Sequence, residues 1–277
     1  MSGRDDSRPP ASSAPGVPAS PSPTSDGHEV WVFTTAALRS VLGDPAAAAR
    51  LRTGNVFELV TSRLWRAPGI TTVPTQAFTS SESLVQAVDG GRLLTGVRAV
   101  LFDPEAWPFT PTSDQSDPAA AAARAEVAAH AHGLYLIVSP ALSLVTARTP
   151  ATTGPRWQSF LSLGLAGAVA SHADAIDLQA QSLIRDPGAY RSFVTEAAAQ
   201  ARAANPGVVV LAGISTNPTG APLTPGDVQA SMRTVRSVVS GWWMNIPAPG
   251  PKCPGCSPRR ADYAVAALAD PSTRAGR

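Results

Sequence analysis

Residues 208–214 read Val-Val-Val-Leu-Ala-Gly-Ile, apolar on both faces, as a strand must be when parallel neighbours and their connecting helices cover both sides of the sheet. The flanking segments fit such crossovers. One helical stretch opens at Asp186-Pro187 and runs to Gly207, and another opens at Thr224-Pro225 and runs towards Gly241. Each start sets a side chain able to accept from the first unpaired N–H groups just before a proline, whose missing N–H costs nothing at the first helical position. Asp117-Pro118 repeats the signal, and Gly133, Gly207 and Gly241 fall where a helix must end and a strand begin.

Six more runs of strand character, at 30–33, 71–78, 97–103, 134–140, 175–181 and 241–247, alternate with helical segments. Residues 55–65 are predicted as helix, because Val56, Val60 and Leu64 recur at four-residue spacing behind Asn55 as a cap. The β-α rhythm predicts an α/β fold: a (β/α)8 TIM-like barrel with one weak or missing strand, formed by residues 28–277 as a single domain. An open doubly wound sheet is the second choice. No Gly-x-Gly-x-x-Gly turn follows the first strand, so no dinucleotide cofactor is expected.

Composition narrows the classes. With 22 basic against 20 acidic side chains, the chain lacks the charge excess of a nucleic-acid binder. No apolar run reaches the length of a membrane span. All the basic residues but Lys252 are arginine, and Lys252 sits in a Pro/Gly loop, which argues against Schiff-base chemistry. Residues 1–27 are Pro, Ser and Ala with little to bury and read as a disordered tail. As written, the start shows no secretory signal and reads as cytoplasmic. Tails of this kind also space an exported domain from a membrane anchor, so localisation stays open.

In either architecture the ligand site lies at the carboxyl ends of the strands, which sorts the polar residues. His130, His132 and His172 all precede strands and map to the opposite face, where a helix-end role is expected. A Ser-His-acid triad and a histidine-rich metal site thus lose their key member, and no metal is expected. Cys253-Pro-Gly-Cys256 allows a small disulfide loop, half of a zinc site or a redox couple. Its framing prolines favour a structural disulfide or simple loop thiols. Asp103 and Glu105 share parity at the end of 97–103 and lead into a long aromatic and hydroxyl-rich loop that includes Trp107. They are the leading candidate acid and base. In 174–182, Ile176, Leu178 and Ala180 face helices, which aligns Asp177, Gln179 and Gln181 on the inner face. Gln76, Asn217 and Asn245, with one of Trp242 and Trp243, complete a lining of amides, hydroxyls and an indole suited to a sugar. Trp243 is assigned to that lining.

Asp174-Ala-Ile-Asp177-Leu-Gln179-Ala-Gln181 resembles the fourth-strand signature of chitinase-type glycoside hydrolase barrels, Asp-x-x-Asp-x-Asp-x-Glu. Asp174 and Asp177 match its first two acids. Gln179 stands where the family has the aspartate that assists the substrate amide, and Gln181 where it has the general acid, a role that glutamine cannot fill. The run is counted as the fifth strand. A tryptophan on the family's last strand is similar in place to Trp242 or Trp243. The resemblance implies a sugar-binding barrel without the usual acid. Three readings follow. The first is a glycosidase using Asp103, Glu105 and Asp177, and the second is a non-catalytic carbohydrate-binding barrel. The third is a small-molecule biosynthetic enzyme, which the many amides argue against. The expected partner is a carbohydrate or another polar small molecule.

Overall fold

The computed structural model describes residues 28–149, 154–218, 223–250 and 253–275. The predicted tail at 1–27 and the lone lysine, Lys252, lie outside them. Eight parallel strands close into a barrel in chain order: β1 (Val30–Thr34), β2 (Asn55–Leu59), β3 (Thr72–Phe78), β4 (Ala99–Phe102), β5 (Tyr135–Val138), β6 (Ala175–Leu178), β7 (Val209–Ser215) and β8 (Gly241–Asn245). Pairing of β8 with β1, in the register Val30↔Gly241 to Val32↔Trp243, closes the circle. This is the (β/α)8 barrel, and it has no missing strand.

The eighth strand is the segment read as helix. Asn55–Leu59 pairs with both β1 and β3. The misreading has a simple cause: a spacing of four is a multiple of two as well as about one helical turn, so Val56 and Val60 share a face in either conformation. Phe57 and Leu59 supply the opposite parity and fill the barrel interior, while Val56 packs under the helices. Counting β2 moves the run at 175–181 from fifth strand to sixth, and makes 97–103 the fourth.

Side-chain alternation builds two cores. Val32, Phe57, Leu101, Ile137 and Leu211 pack inside the barrel, and residues of opposite parity, such as Trp31, Phe102, Ile176 and Trp242, pack against the helices. The proline-marked helix starts form as expected. Asp117 Oδ1 accepts from Ala120 N (3.1 Å) at the helix Pro118–Ala131, and Asp186 Oδ1 from Ala189 N (2.9 Å) at Pro187–Ala204. Thr224 and Asp227 form a reciprocal capping box on Pro225–Val235. Gly133 takes φ +66° after the first of these helices, a conformation that excludes most side chains. At the second, Asn205 makes the turn: its Nδ2 donates to the Ala170 and Ala173 carbonyls, and its Oδ1 accepts from Gly207 N.

One buried charge ties the chain's ends together. Arg50, in the helix Pro45–Arg52, holds Glu29 with Nε and Nη2 at 2.9 and 2.8 Å. Its Nη1 reaches Thr273 Oγ1 (2.7 Å) and the Ala267 carbonyl (3.0 Å). Removing one partner of a buried pair leaves the other charge stranded. Arg50→Met is therefore expected to cost about 3 kcal/mol in urea unfolding, with Arg50→Lys recovering little because an ammonium cannot span both sides of the fork.

Candidate active site

The carboxyl ends of β4 to β8 surround a cleft of about 450 Å³. Glu105, Gln179, Gln181, Ser215, Asn217 and Asn245 all line it, together with Cys253 and Arg156. Four of the five strand ends are represented by residues expected from sequence, and the acidic pair and the glutamine row, 76 residues apart in the chain, meet here. The sequence gives no signal for Arg156, which reaches the cleft from the segment after β5.

The contact between the two groups is direct. Gln179 Nε2 donates to Asp103 Oδ1 (2.6 Å), to the Ser139 carbonyl (2.9 Å) and to Ser139 Oγ (3.2 Å). Ser139 Oγ in turn donates to Asp177 Oδ2 (2.9 Å). A chain of polar side chains therefore runs Asp177, Ser139, Gln179, Asp103, across the inner ends of β4, β5 and β6. Asp177 is fully buried, and its Oδ1 has no hydrogen-bond partner among the described residues. Gln181 begins a short 3-10 turn, Gln181–Leu183, and lies over Gly213 on β7. A Cβ on Gly213 would come within 2.6 Å of the Gln181 amide, so the glycine opens the space that Gln181 fills.

Proton affinities along this row differ from those of carboxylates in water. Burial, reinforced by the charge of Glu105 and opposed by the Gln179 hydrogen bond, raises Asp103 to about 7. Burial also raises Glu105. Asp177 is pushed well above the usual range by burial and by Asp103, against the donation from Ser139. These are acids that hold protons where ordinary carboxylates have lost them. The fold favours the protonated form of Asp103, so this residue costs stability as pH rises from about 4 to about 7, and the full cost remains above that. Asp103→Asn, with no proton to lose, is expected to gain about 4 kcal/mol on wild type across that interval. Urea midpoints at about pH 4 and about pH 8, on either side of the transition, provide the check; a constant difference would contradict it.

The loop after β4 is anchored rather than solvated. Ala106 N donates to Ser143 Oγ (3.0 Å), Ala141 N to the Pro104 carbonyl (3.1 Å), and Glu105 N to Thr110 Oγ1 (3.2 Å). Trp107 Nε1 donates to Thr110 Oγ1 (2.9 Å), and its ring meets Phe109 edge-on at 5.2 Å. Trp107 thus braces the loop beside Glu105 without lining the cleft.

Two other predicted residues sit elsewhere. Gln76 points outward from β3, where its Oε1 accepts from Leu94 N (3.2 Å), and does not reach the cleft. Trp243 faces the barrel interior and packs on the apolar cluster there, one layer beneath the cleft, while Trp242 faces the helices and donates to Glu29 Oε1 (2.9 Å). Cys253 and Cys256 form a disulfide. Asn217 Nδ2 donates to the Gly255 carbonyl (3.0 Å), fixing that loop over the strand ends.

Three of the four histidines lie at the other end of the barrel, each beside a carboxylate: His130 with Asp174, His132 with Asp89 and His172 with Glu126. Among the described residues no group of three or more His, Cys, Asp or Glu side chains is placed to hold a metal ion, and no helix is long and apolar enough to cross a membrane.

No protein-family model matches the chain, and neither does any curated protein. Solved structures do. A chitinase from Chromobacterium violaceum aligns at 15% identity and TM-score 0.48, over 87% of this chain and 98% of its own. A sugar phosphate isomerase/epimerase from Parabacteroides distasonis aligns at 10% identity and TM-score 0.48, over 90% and 99%. The spore cortex-lytic enzyme of Bacillus megaterium aligns at 11% and 0.44, over 78% and 70%.

Proposed function

We propose that the chain is a carbohydrate-active barrel that hydrolyses a glycosidic bond through Asp103 and Glu105. The observation that carries this reading is the strand on which the pair stands. With β2 counted, the run at 97–103 holds the fourth strand, and Asp103-Pro104-Glu105 directly follows its last residue, Phe102. The chitinase-type signature ends its fourth strand in Asp-x-Glu. On that reading Glu105 takes the place of the general acid and Asp103 that of the aspartate that assists the substrate amide. The glutamine-bearing run on β6 then forms the cleft wall instead of carrying the acid. The match is limited to these two positions, since the first two signature acids would fall on Arg98 and Leu101.

The chemistry fits the placement. Glu105 lines the cleft and has a raised proton affinity, as an acid that must protonate a leaving oxygen near neutral pH requires. Asp103 lies one step deeper, oriented by Gln179, and supplies the second carboxylate. Gln179, Gln181, Ser215 and Asn245 offer donors and acceptors to sugar hydroxyls or to an acetamido group.

A second reading, sugar binding without hydrolysis, is favoured by one observation: among the described residues, Glu105 is the only carboxylate lining the cleft. Reducing-end release from β-linked N-acetylglucosamine oligomers and from matching glucose oligomers, with saturable binding recorded alongside, separates the two. Release by wild type that Glu105→Gln abolishes while binding survives supports hydrolysis. Binding with no release supports the second reading. Neither release nor binding by any oligomer overturns both.

A further inference from the structure

A second cleft, of about 520 Å³, opens at the carboxyl ends of β1 and β2, outside the site described above. Its wall includes Arg39, Arg259, Thr35 and Thr61, and among the described residues no carboxylate lines it. We infer that this cleft binds a compact oxyanion, a phosphate, sulfate or carboxylate group, between the guanidinium groups of Arg39 and Arg259. The inference does not depend on the chemistry assigned to Glu105.

Both arginines are positioned without being neutralised. The Arg39 guanidinium lies over the Trp65 ring, 4.6 Å from its centroid, and makes no hydrogen bond or ion pair among the described residues. Stacking on an aromatic face orients a guanidinium yet leaves its in-plane N–H groups available. Arg259 spends Nε and Nη2 on one carbonyl, that of Ile246 (3.2 and 3.0 Å), a neutral partner that fixes the side chain and leaves its charge uncompensated.

Glu58, the residue before the cleft-lining Leu59, is fully buried. It accepts from Thr35 Oγ1 (2.6 Å) and Thr72 Oγ1 (3.1 Å) and is thus bonded away from the opening. Two fork-shaped cations facing a cavity match the geometry of an oxyanion, which can accept two parallel N–H bonds from each. Thr61, exposed on the rim, adds a hydroxyl donor.

The test uses the full chain and isothermal titration at low ionic strength, where screening is least. The probes are inorganic phosphate, inorganic sulfate and glucuronate, with glucose as the neutral control. Saturable binding of at least one anion is expected, with glucose silent. Phosphate or sulfate alone would identify a tetrahedral ester group as the ligand, and glucuronate alone a sugar carboxylate. Arg39→Gln is expected to weaken that binding by about tenfold or more through loss of a charge-assisted contact. Arg92→Gln makes the same change in net charge between the helix Ser81–Asp89 and β4, at the opposite end of the barrel, and is expected to leave binding unchanged. Arg39 is exposed, so its variant carries the result even if Arg259→Gln loosens the loop at Ile246. No saturable binding of any anion, or equal weakening by Arg39→Gln and Arg92→Gln, would overturn the inference.

Discussion

Glu105→Gln is expected to lower the rate of glycosidic cleavage by about 10²–10⁴-fold while changing sugar affinity by less than about threefold, the signature of a group needed in the transition state and not for binding. Glutamine keeps the size and the acceptor oxygen of the side chain but has no acidic proton to give the leaving group. The backbone around it is held independently, by the bonds from Ala106 to Ser143 and from Glu105 N to Thr110, so the substitution leaves the loop in place. The cleft still presents Gln179, Gln181, Ser215 and Asn245 to the sugar. The pH profile follows from the same electrostatics. Asp103 retains its proton to about 7, and burial raises Glu105 above its ordinary range, so turnover should persist through weakly acidic pH and fall towards alkaline pH as the acid ionises. A variant retaining more than about a tenth of the wild-type rate would remove Glu105 from the chemistry.

Gly241→Ala is expected to be the most damaging single-atom addition in the fold. Gly241 opens β8 opposite Val30, at the seam where the last strand meets the first. A Cβ there would overlap the carbonyl oxygen and carbon of Val30. The obstacle is backbone within a hydrogen-bonded ladder, so no rotamer change can relieve it, and relief requires β1 and β8 to separate. Separation would expose two strand edges and uncover Trp31 and Trp242, both fully buried. A loss of at least about 4 kcal/mol is expected, in the far tail of point-mutant effects, seen as insoluble expression or a collapse of the urea midpoint. Gly250→Ala is the control: a Cβ there meets nothing within 4 Å. Normal stability in Gly241→Ala would mean that the barrel is not closed as described.

The parts of the fold that were legible in sequence are those where one pattern has one reading. The apolar run at 208–214, the capped prolines and the alternation of Ile176 and Leu178 with Asp177 and Gln179 each point to a single local structure, and each formed. The segment at 55–65 failed because its apolar spacing satisfies two periods at once, and only pairing with β1 and β3 decides between them. That one strand also changed the numbering of all that follow, and with it the meaning of Asp103-Pro-Glu105. Parity placed Asp103, Asp177 and Gln179 on the inner face, but nothing local shows that Gln179 reaches Asp103 or that Gly213 makes room for Gln181. Gln76 was misplaced because a strand-end position says nothing of which face a residue occupies until the register is known. Arg156 and Arg259 reach their clefts from a helix start and a loop, where no period exists to be read, and Arg39 from the last turn of the short helix Thr35–Val41.

The central claim is that Glu105 in the β4–β8 cleft and Asp103 one step deeper are carboxyl groups whose proton affinities are raised by burial, that of Asp103 further by the charge of Glu105. Carbon-13 NMR titration of the side-chain carboxyl groups of Asp103 and Glu105, with Asp103→Asn and Glu105→Gln assigning the signals, measures it directly. Asp103 should titrate near 7, with Glu105 above its ordinary range, and Asp103 should shift downward in Glu105→Gln as the neighbouring charge is removed. Ordinary carboxylate titration of both groups, unaffected by each other's removal, would contradict the account.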